Sequence, residues 1–112
     1  MAVNKRNEFD ATELQLADLA KAISHPARIA ILKVLAQRNE CVCGEIVEVL
    51  PLAQSTVSQH LKELLKAGLI QGTIDGSKSC YCIRWEAFEQ FEQGFRTFFT
   101  QTKSFEEKRK CC

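Results

Sequence analysis

Gln54-Ser55-Thr56-Val57-Ser58-Gln59-His60-Leu61-Lys62-Glu63-Leu64-Leu65-Lys66-Ala67-Gly68 carries an apolar and a polar stripe at helical spacing. Val57, Leu61, Leu64 and Leu65 form a face to be buried, while Ser55, Gln59, Lys62 and Lys66 line another. The spacing predicts a helix from Gln54 to Ala67, closed by Gly68 as a left-handed C-terminal cap. Short hydrogen-bonding side chains stand at its N-terminal end, where they can reach base edges, and lysines follow, where they can meet phosphate. That is the pattern of a recognition helix in the major groove. The candidate DNA contacts are Ser55, Thr56, Ser58, Gln59, His60, Lys62 and Lys66, with Lys78 downstream.

Working outward, Leu69 to Ile74 and Ser79 to Arg84 read as the strands of a β-hairpin, with Asp75-Gly76-Ser77-Lys78 as its tip. Side chains alternate along a strand, so Ser79, Tyr81 and Ile83 share one face and Cys80 and Cys82 the other. If Tyr81 and Ile83 face the core, both thiols point outward. Upstream, Leu16, Leu19, Ala20 and Ile23 predict a helix from Thr12 to Ser24, with Thr12 as its cap. Pro26 suits the first position of a second helix, His25 the turn or cap before it, and Ala27, Ala30, Ile31, Val34 and Leu35 its apolar face. Gly44 to Leu50 reads as a short third helix stopped by Pro51.

The last helix begins near Trp85 or Glu86. Phe88, Phe91, Phe95 and Phe98 follow a three-and-four spacing that Phe105 continues and Phe99 widens. A seam that bulky predicts a homodimer interface over residues 86–106, followed by a flexible cysteine-containing tail, 107–112. The expected fold is mainly α with a small β-hairpin wing: a winged helix-turn-helix in the order α-α-α-α-β-β-α, forming a homodimer.

The bounds agree with one DNA-binding domain over residues 1–112, a length at which a shared surface helps close the core. The net charge is only +1, but it is unevenly spread. From Gln54 to Arg84, Lys62, Lys66, Lys78 and Arg84 face only Glu63 and Asp75; Glu86, Glu89, Glu92, Glu106 and Glu107 come later. No apolar run approaches the roughly 20 residues that span a bilayer, and the first residues are polar, so no membrane partner and a cytoplasmic location are expected. The six cysteines occur as C-x-C, C-x-C and C-C. Adjacent and alternate cysteines are poor disulfide partners for one another, so the spacing predicts reduced thiols open to soft metals or oxidants. Neither a Cys-x-x-Cys on an α/β scaffold, nor a Gly-rich phosphate loop, nor a Ser/His/Asp arrangement is apparent. A thiol enzyme is thus a remote alternative, and no organic cofactor is expected.

His25-Pro26-Ala27-Arg28, Cys41-Val42-Cys43, Ser55 to Leu64 and Lys66-Ala67-Gly68-Leu69-Ile70 together resemble the ArsR/SmtB family of bacterial metalloregulatory repressors. The likeness runs over roughly residues 14 to 100 and includes the wing at Gly76. It implies a homodimeric winged-helix repressor that binds double-stranded operator DNA and releases it when a metal or metalloid binds. In the arsenic-, antimony- and cadmium/lead-sensing branches, the family's Cys-x-Cys sits where Cys41 and Cys43 sit here. One arsenic-sensing type has a further cysteine where this chain has Ile46. The cadmium/lead type draws thiols from an N-terminus that here has none, and the zinc, cobalt and nickel types use a last-helix site whose histidine is missing here.

The inducer expected from this resemblance is As(III) or Sb(III), soft centres that prefer thiolate sulfur. Cys41 and Cys43 are the first ligands, expected just before or within the first turn of the third helix, where the helix dipole favours a thiolate. Cys111 or Cys112 of the tail is the preferred third donor, with Cys80 and Cys82 as runner-up. Sensing of Cd(II), Pb(II) or thiol oxidants on the same fold is the alternative.

Overall fold

The computed structural model describes residues 6–43, 50–75 and 78–106. A short 3₁₀ turn, Arg6–Glu8, leads into α1 (Ala11–Ala22), α2 (Pro26–Arg38), β1 (Val42–Cys43), α3 (Gln54–Ala67), β2 (Ile70–Asp75), β3 (Lys78–Ile83) and α4 (Trp85–Lys103). The expected third helix falls mainly on 44–49, and the hairpin tip on 76–77; both lie outside the described residues, as do Cys111 and Cys112 of the tail.

Local sequence accounts for most element ends. Asp10, rather than Thr12, caps α1: its Oδ1 accepts from Glu13 N–H at 2.8 Å while Glu13 Oε1 accepts from Asp10 N–H at 3.2 Å. This reciprocal pair satisfies two otherwise orphan donors. Pro26 opens α2 as expected, and His25 Nδ1 accepts the Ala27 N–H at 3.0 Å. Gly68, at φ 80°, ends α3 in the left-handed region that a side chain disfavours.

The sheet has a strand that the periodicity did not reveal. Its order is β1-β3-β2, fully antiparallel, with β3 central, so the wing hairpin gains an inner neighbour from the segment before α3. Val42 pairs with Tyr81 and Cys43 with Cys80. Across the hairpin, Gln71 pairs with Cys82 and Thr73 with Cys80.

One core joins these layers. Ile31 and Leu35 of α2, Val57 and Leu64 of α3, and Leu69 and Ile70 at the start of the wing are almost wholly buried. Val42, Leu61 and Ile83 belong to the same cluster. The aromatic seam of α4 divides. Phe91 is buried within its own chain and Phe88 and Phe95 pack partly on the core, whereas Phe98 is 46% and Phe99 54% exposed. Phe88, Phe91 and Phe95 therefore spend much of their surface on the chain's own core, while Phe98 and Phe99 leave apolar area outside it. α4 comes close to α1 at Gly94, where an added Cβ would lie 2.7 Å from Leu16 Cδ2.

Candidate DNA-reading and thiol site

The outward face of α3 follows from its periodicity. Ser55, Thr56, Ser58, Gln59, Lys62 and Lys66 are all exposed, while Val57, Leu61 and Leu64 hold the opposite face in the core. The exposed face thus carries hydroxyl, amide and ammonium groups on a rigid element, without an acidic residue in its first turn. Lys78 begins β3, at the far end of the hairpin from the core.

His60 departs from the expected set. It is 8% exposed, and its Nδ1 accepts the Arg28 Nε–H at 3.1 Å. The His25 ring stacks obliquely on it, with centroids 4.4 Å apart. Burial, then the neighbouring His25 and Arg28, lower the pKa of His60 below its ordinary 6.5, keeping the ring neutral and able to accept. Arg28 also donates to the carbonyls of Lys21 and Ala22 at the end of α1. His60 is therefore a fastener of α3 onto α1 and α2, and its side chain is turned away from the exposed polar face. Sequence reasoning noted Arg28 only as part of the His25-Pro26-Ala27-Arg28 motif and gave it no role; its place in the first turn of a helix opened by His25-Pro26 was the available signal.

Cys43 is in β1 and Cys41 immediately precedes it, so neither thiol stands within a helix; the expected third helix after them falls mainly on 44–49, outside the described residues. The antiparallel register brings both cysteines onto the wing. Cys41 is disulfide-bonded to Cys82 and Cys43 to Cys80, with Cα separations of 4.3 and 4.0 Å. The expectation that these cysteines are free thiols is corrected for this state: alternate cysteines indeed avoid each other, but two alternating pairs on facing strands meet across the ladder.

Tyr81 is half-buried against the core and Ile83 is buried, so the four sulfurs occupy the other face of the sheet. That face is not open everywhere. Cys80 is 2% exposed, Cys43 and Cys82 are intermediate, and Cys41 is exposed. Gln71, opposite Cys82 in the ladder, directs its Nε2–H toward Cys82 Sγ at 3.7 Å. In this oxidised state no group of three or more His, Cys, Asp and Glu side chains among the described residues is placed to hold a metal ion. Soft-metal chemistry at these sulfurs first requires reduction of the disulfides.

No helix among the described residues is long and apolar enough to cross a membrane. Residues 25–71 match the bacterial regulatory protein, arsR family. The chain is 36% identical over 80 residues to the HTH-type transcriptional regulator YgaV of Escherichia coli K12, spanning 71% of this chain and 81% of that one. It is 29% identical over 79 residues to the arsenical resistance operon repressor of Staphylococcus xylosus, spanning 70% of this chain and 75% of the repressor. The crystal structure of Mycobacterium tuberculosis Rv0081 superposes with a TM-score of 0.64 at 26% identity, covering 88% of this chain and 98% of that one.

Proposed function

The chain belongs to the arsR family of DNA-binding transcriptional regulators, not to a class of enzymes, and from that premise we propose that it is a repressor released from its operator when As(III) or Sb(III) binds its cysteine thiolates. One observation carries this reading: Cys41 and Cys43, next to the DNA-reading unit, meet two further cysteines on the wing strand. Soft trivalent centres select such sulfur-rich surroundings over imidazole or carboxylate. The 29% identity to the arsenical resistance operon repressor of Staphylococcus xylosus supports the same inducer class.

In the DNA-bound state Ser55, Thr56, Ser58 and Gln59 contact bases or fix orientation, and Lys62, Lys66 and Lys78 contact phosphate. Two copies join through the exposed part of the α4 aromatic seam, Phe98 and Phe99, beside an apolar groove lined by Leu16, Ala17 and Phe95. Their α3 helices then stand about 34 Å apart, one turn of DNA, to read two half-sites. Val42, between the two β1-side cysteines, belongs to the core on which α3 is seated. Drawing Cys41 and Cys43 to a common centre therefore strains the support of α3. Coupling of about 1–3 kcal/mol weakens DNA binding roughly 5- to 150-fold.

A second reading is favoured by the pairing itself. A peroxide oxidises each cysteine pair by taking two electrons and two protons, leaving as two waters while the S–S bond forms. Fluorescence anisotropy of the reduced protein on its own promoter DNA separates the readings, with parallel titrations of arsenite, cadmium, lead, zinc and hydrogen peroxide. Release at near-stoichiometric arsenite, with zinc inert, is the expected result. Release by peroxide alone selects the redox reading, and DNA binding indifferent to every addition overturns both.

A further inference from the structure

Cys41 and Cys43 supply two sulfurs, one fewer than a trigonal As(III) centre takes, and the fold places two more on the neighbouring strand. We propose that Cys41, Cys43, Cys80 and Cys82, once reduced, form a single site within one chain, with the wing strand β3 completing the arsenic ligand set and the C-terminal tail taking no part. This rests on the arsenite reading above, but it fixes the ligands and locates the coupling in the wing.

The geometry is that of a two-by-two array. Cysteines alternate with Val42 on one strand and with Tyr81 on the other, so all four leave the same face of the sheet. Across the ladder their Cα atoms are 4.3 and 4.0 Å apart. Along each strand two residues span about 6.6 Å, so a point over the middle of the array lies roughly 4 Å in projection from every Cα. A cysteine side chain can bridge that span, since a thiolate binds a metal at about 2.3 Å. No chain movement between protomers is needed. Gln71 offers an N–H to the Cys82 sulfur, a contact that orients a ligating thiolate. Burial of Cys80 shields that side of the array from water and competing ligands.

The chemistry balances without electron transfer at the binding step. A phosphine reductant first opens both disulfides: at each, the S–S bond breaks to give two thiols, one water supplies their two protons, and its oxygen leaves on the oxidised phosphine as phosphine oxide. Arsenous acid then exchanges its three hydroxyls for three thiolates: three As–S bonds form, three As–O bonds break, and the three thiol protons leave with the hydroxyls as three waters. The fourth thiol stays free. Because β3 runs through Arg84 into α4, a centre holding β1 to β3 bears on the strand before the DNA-reading unit and on the start of the last helix together.

The test uses the full chain, reduced by the phosphine under anaerobic conditions, and arsenite as the probe. Alkylation followed by peptide mass mapping counts the protected thiols in the wild-type protein. The expected result is three protected among Cys41, Cys43, Cys80 and Cys82 per bound arsenic, with Cys111 and Cys112 alkylated in full. In parallel, Cys80→Ser/Cys82→Ser is expected to weaken arsenite binding at least tenfold, whereas Cys111→Ser/Cys112→Ser leaves it unchanged. DNA affinity without arsenite reports that each variant is folded. Protection of the tail thiols, or arsenite affinity lost in the tail variant and kept in the wing variant, overturns the proposal while leaving arsenite-driven release standing. Protection of no thiol in the wild-type protein overturns both.

Discussion

The polar face of α3 and the cysteine face of the sheet are built on opposite plans. The first is assembled from residues three and four apart on one helix, all exposed, and offers charge and hydrogen-bonding groups. The second joins residues 41 and 37 positions apart in the chain, is partly shielded from water, and offers sulfur. A surface made by local periodicity tolerates changes one residue at a time. A surface made by strand register depends on the whole ladder. On the proposed reading, DNA binding and arsenite binding use different chemistry and are joined through the core, where Val42 and the buried face of α3 share one cluster.

The widest break in this comparison comes from the shared core. Leu64 is fully buried, and Leu64→Ala removes its contacts and leaves a cavity, at a cost of about 2–5 kcal/mol in urea unfolding. Operator binding and arsenite response are expected to fall together. A cost below about 1 kcal/mol would show that α3 is not seated as described.

A smaller effect, confined to one face, is expected at Gln59 and Lys66. Gln59→Ala should alter sequence preference by about 1–3 kcal/mol between matched and mismatched operators. Lys66→Ala should weaken all sites alike and lower the slope of log affinity against log salt by about 0.9. Competition binding at several salt concentrations checks both, and an unchanged slope for Lys66→Ala would remove that lysine from the phosphate contacts. Arsenite response should be the same as wild type in each variant.

The smallest effect concerns the fastener beneath α3. With its pKa lowered in the folded state, His60 takes up a proton more readily in the unfolded chain. Its contribution to stability is complete above the ordinary value of 6.5 and is lost as pH falls through the lower folded value. His60→Gln retains an acceptor for Arg28 but does not titrate, so urea midpoints measured across this range should decline less steeply with acidification than in wild type. Superimposable profiles would mean that His60 does not carry this linkage.

What could be read from the sequence follows the same division. The second helix, α3, its glycine cap and the wing strands were legible because Pro26, Gly68 and the apolar spacings act over a few residues. The α1 cap was misassigned to Thr12, although Asp10 and Glu13 carry the D-x-x-E capping signature. β1 escaped because two residues have no measurable period, and its partner lies far along the chain. The matching alternation of Cys41-Val42-Cys43 and Cys80-Tyr81-Cys82 was the available clue to their pairing. His60 was assigned to DNA from its place beside Gln59, but neighbouring residues on a helix point about 100° apart, and that turn carries it toward Arg28.

The separation of the two faces is tested most directly by operator dissociation constants for the reduced wild-type protein and for Cys41→Ser/Cys43→Ser, which leaves two of the four sulfurs, each with and without one equivalent of arsenite at fixed salt. The account predicts equal affinities without arsenite, a rise of about 5- to 150-fold in the wild-type constant when it is added, and no change in the variant. Equal arsenite-induced release from both proteins, or loss of DNA binding by the folded variant before any arsenite is added, would contradict it.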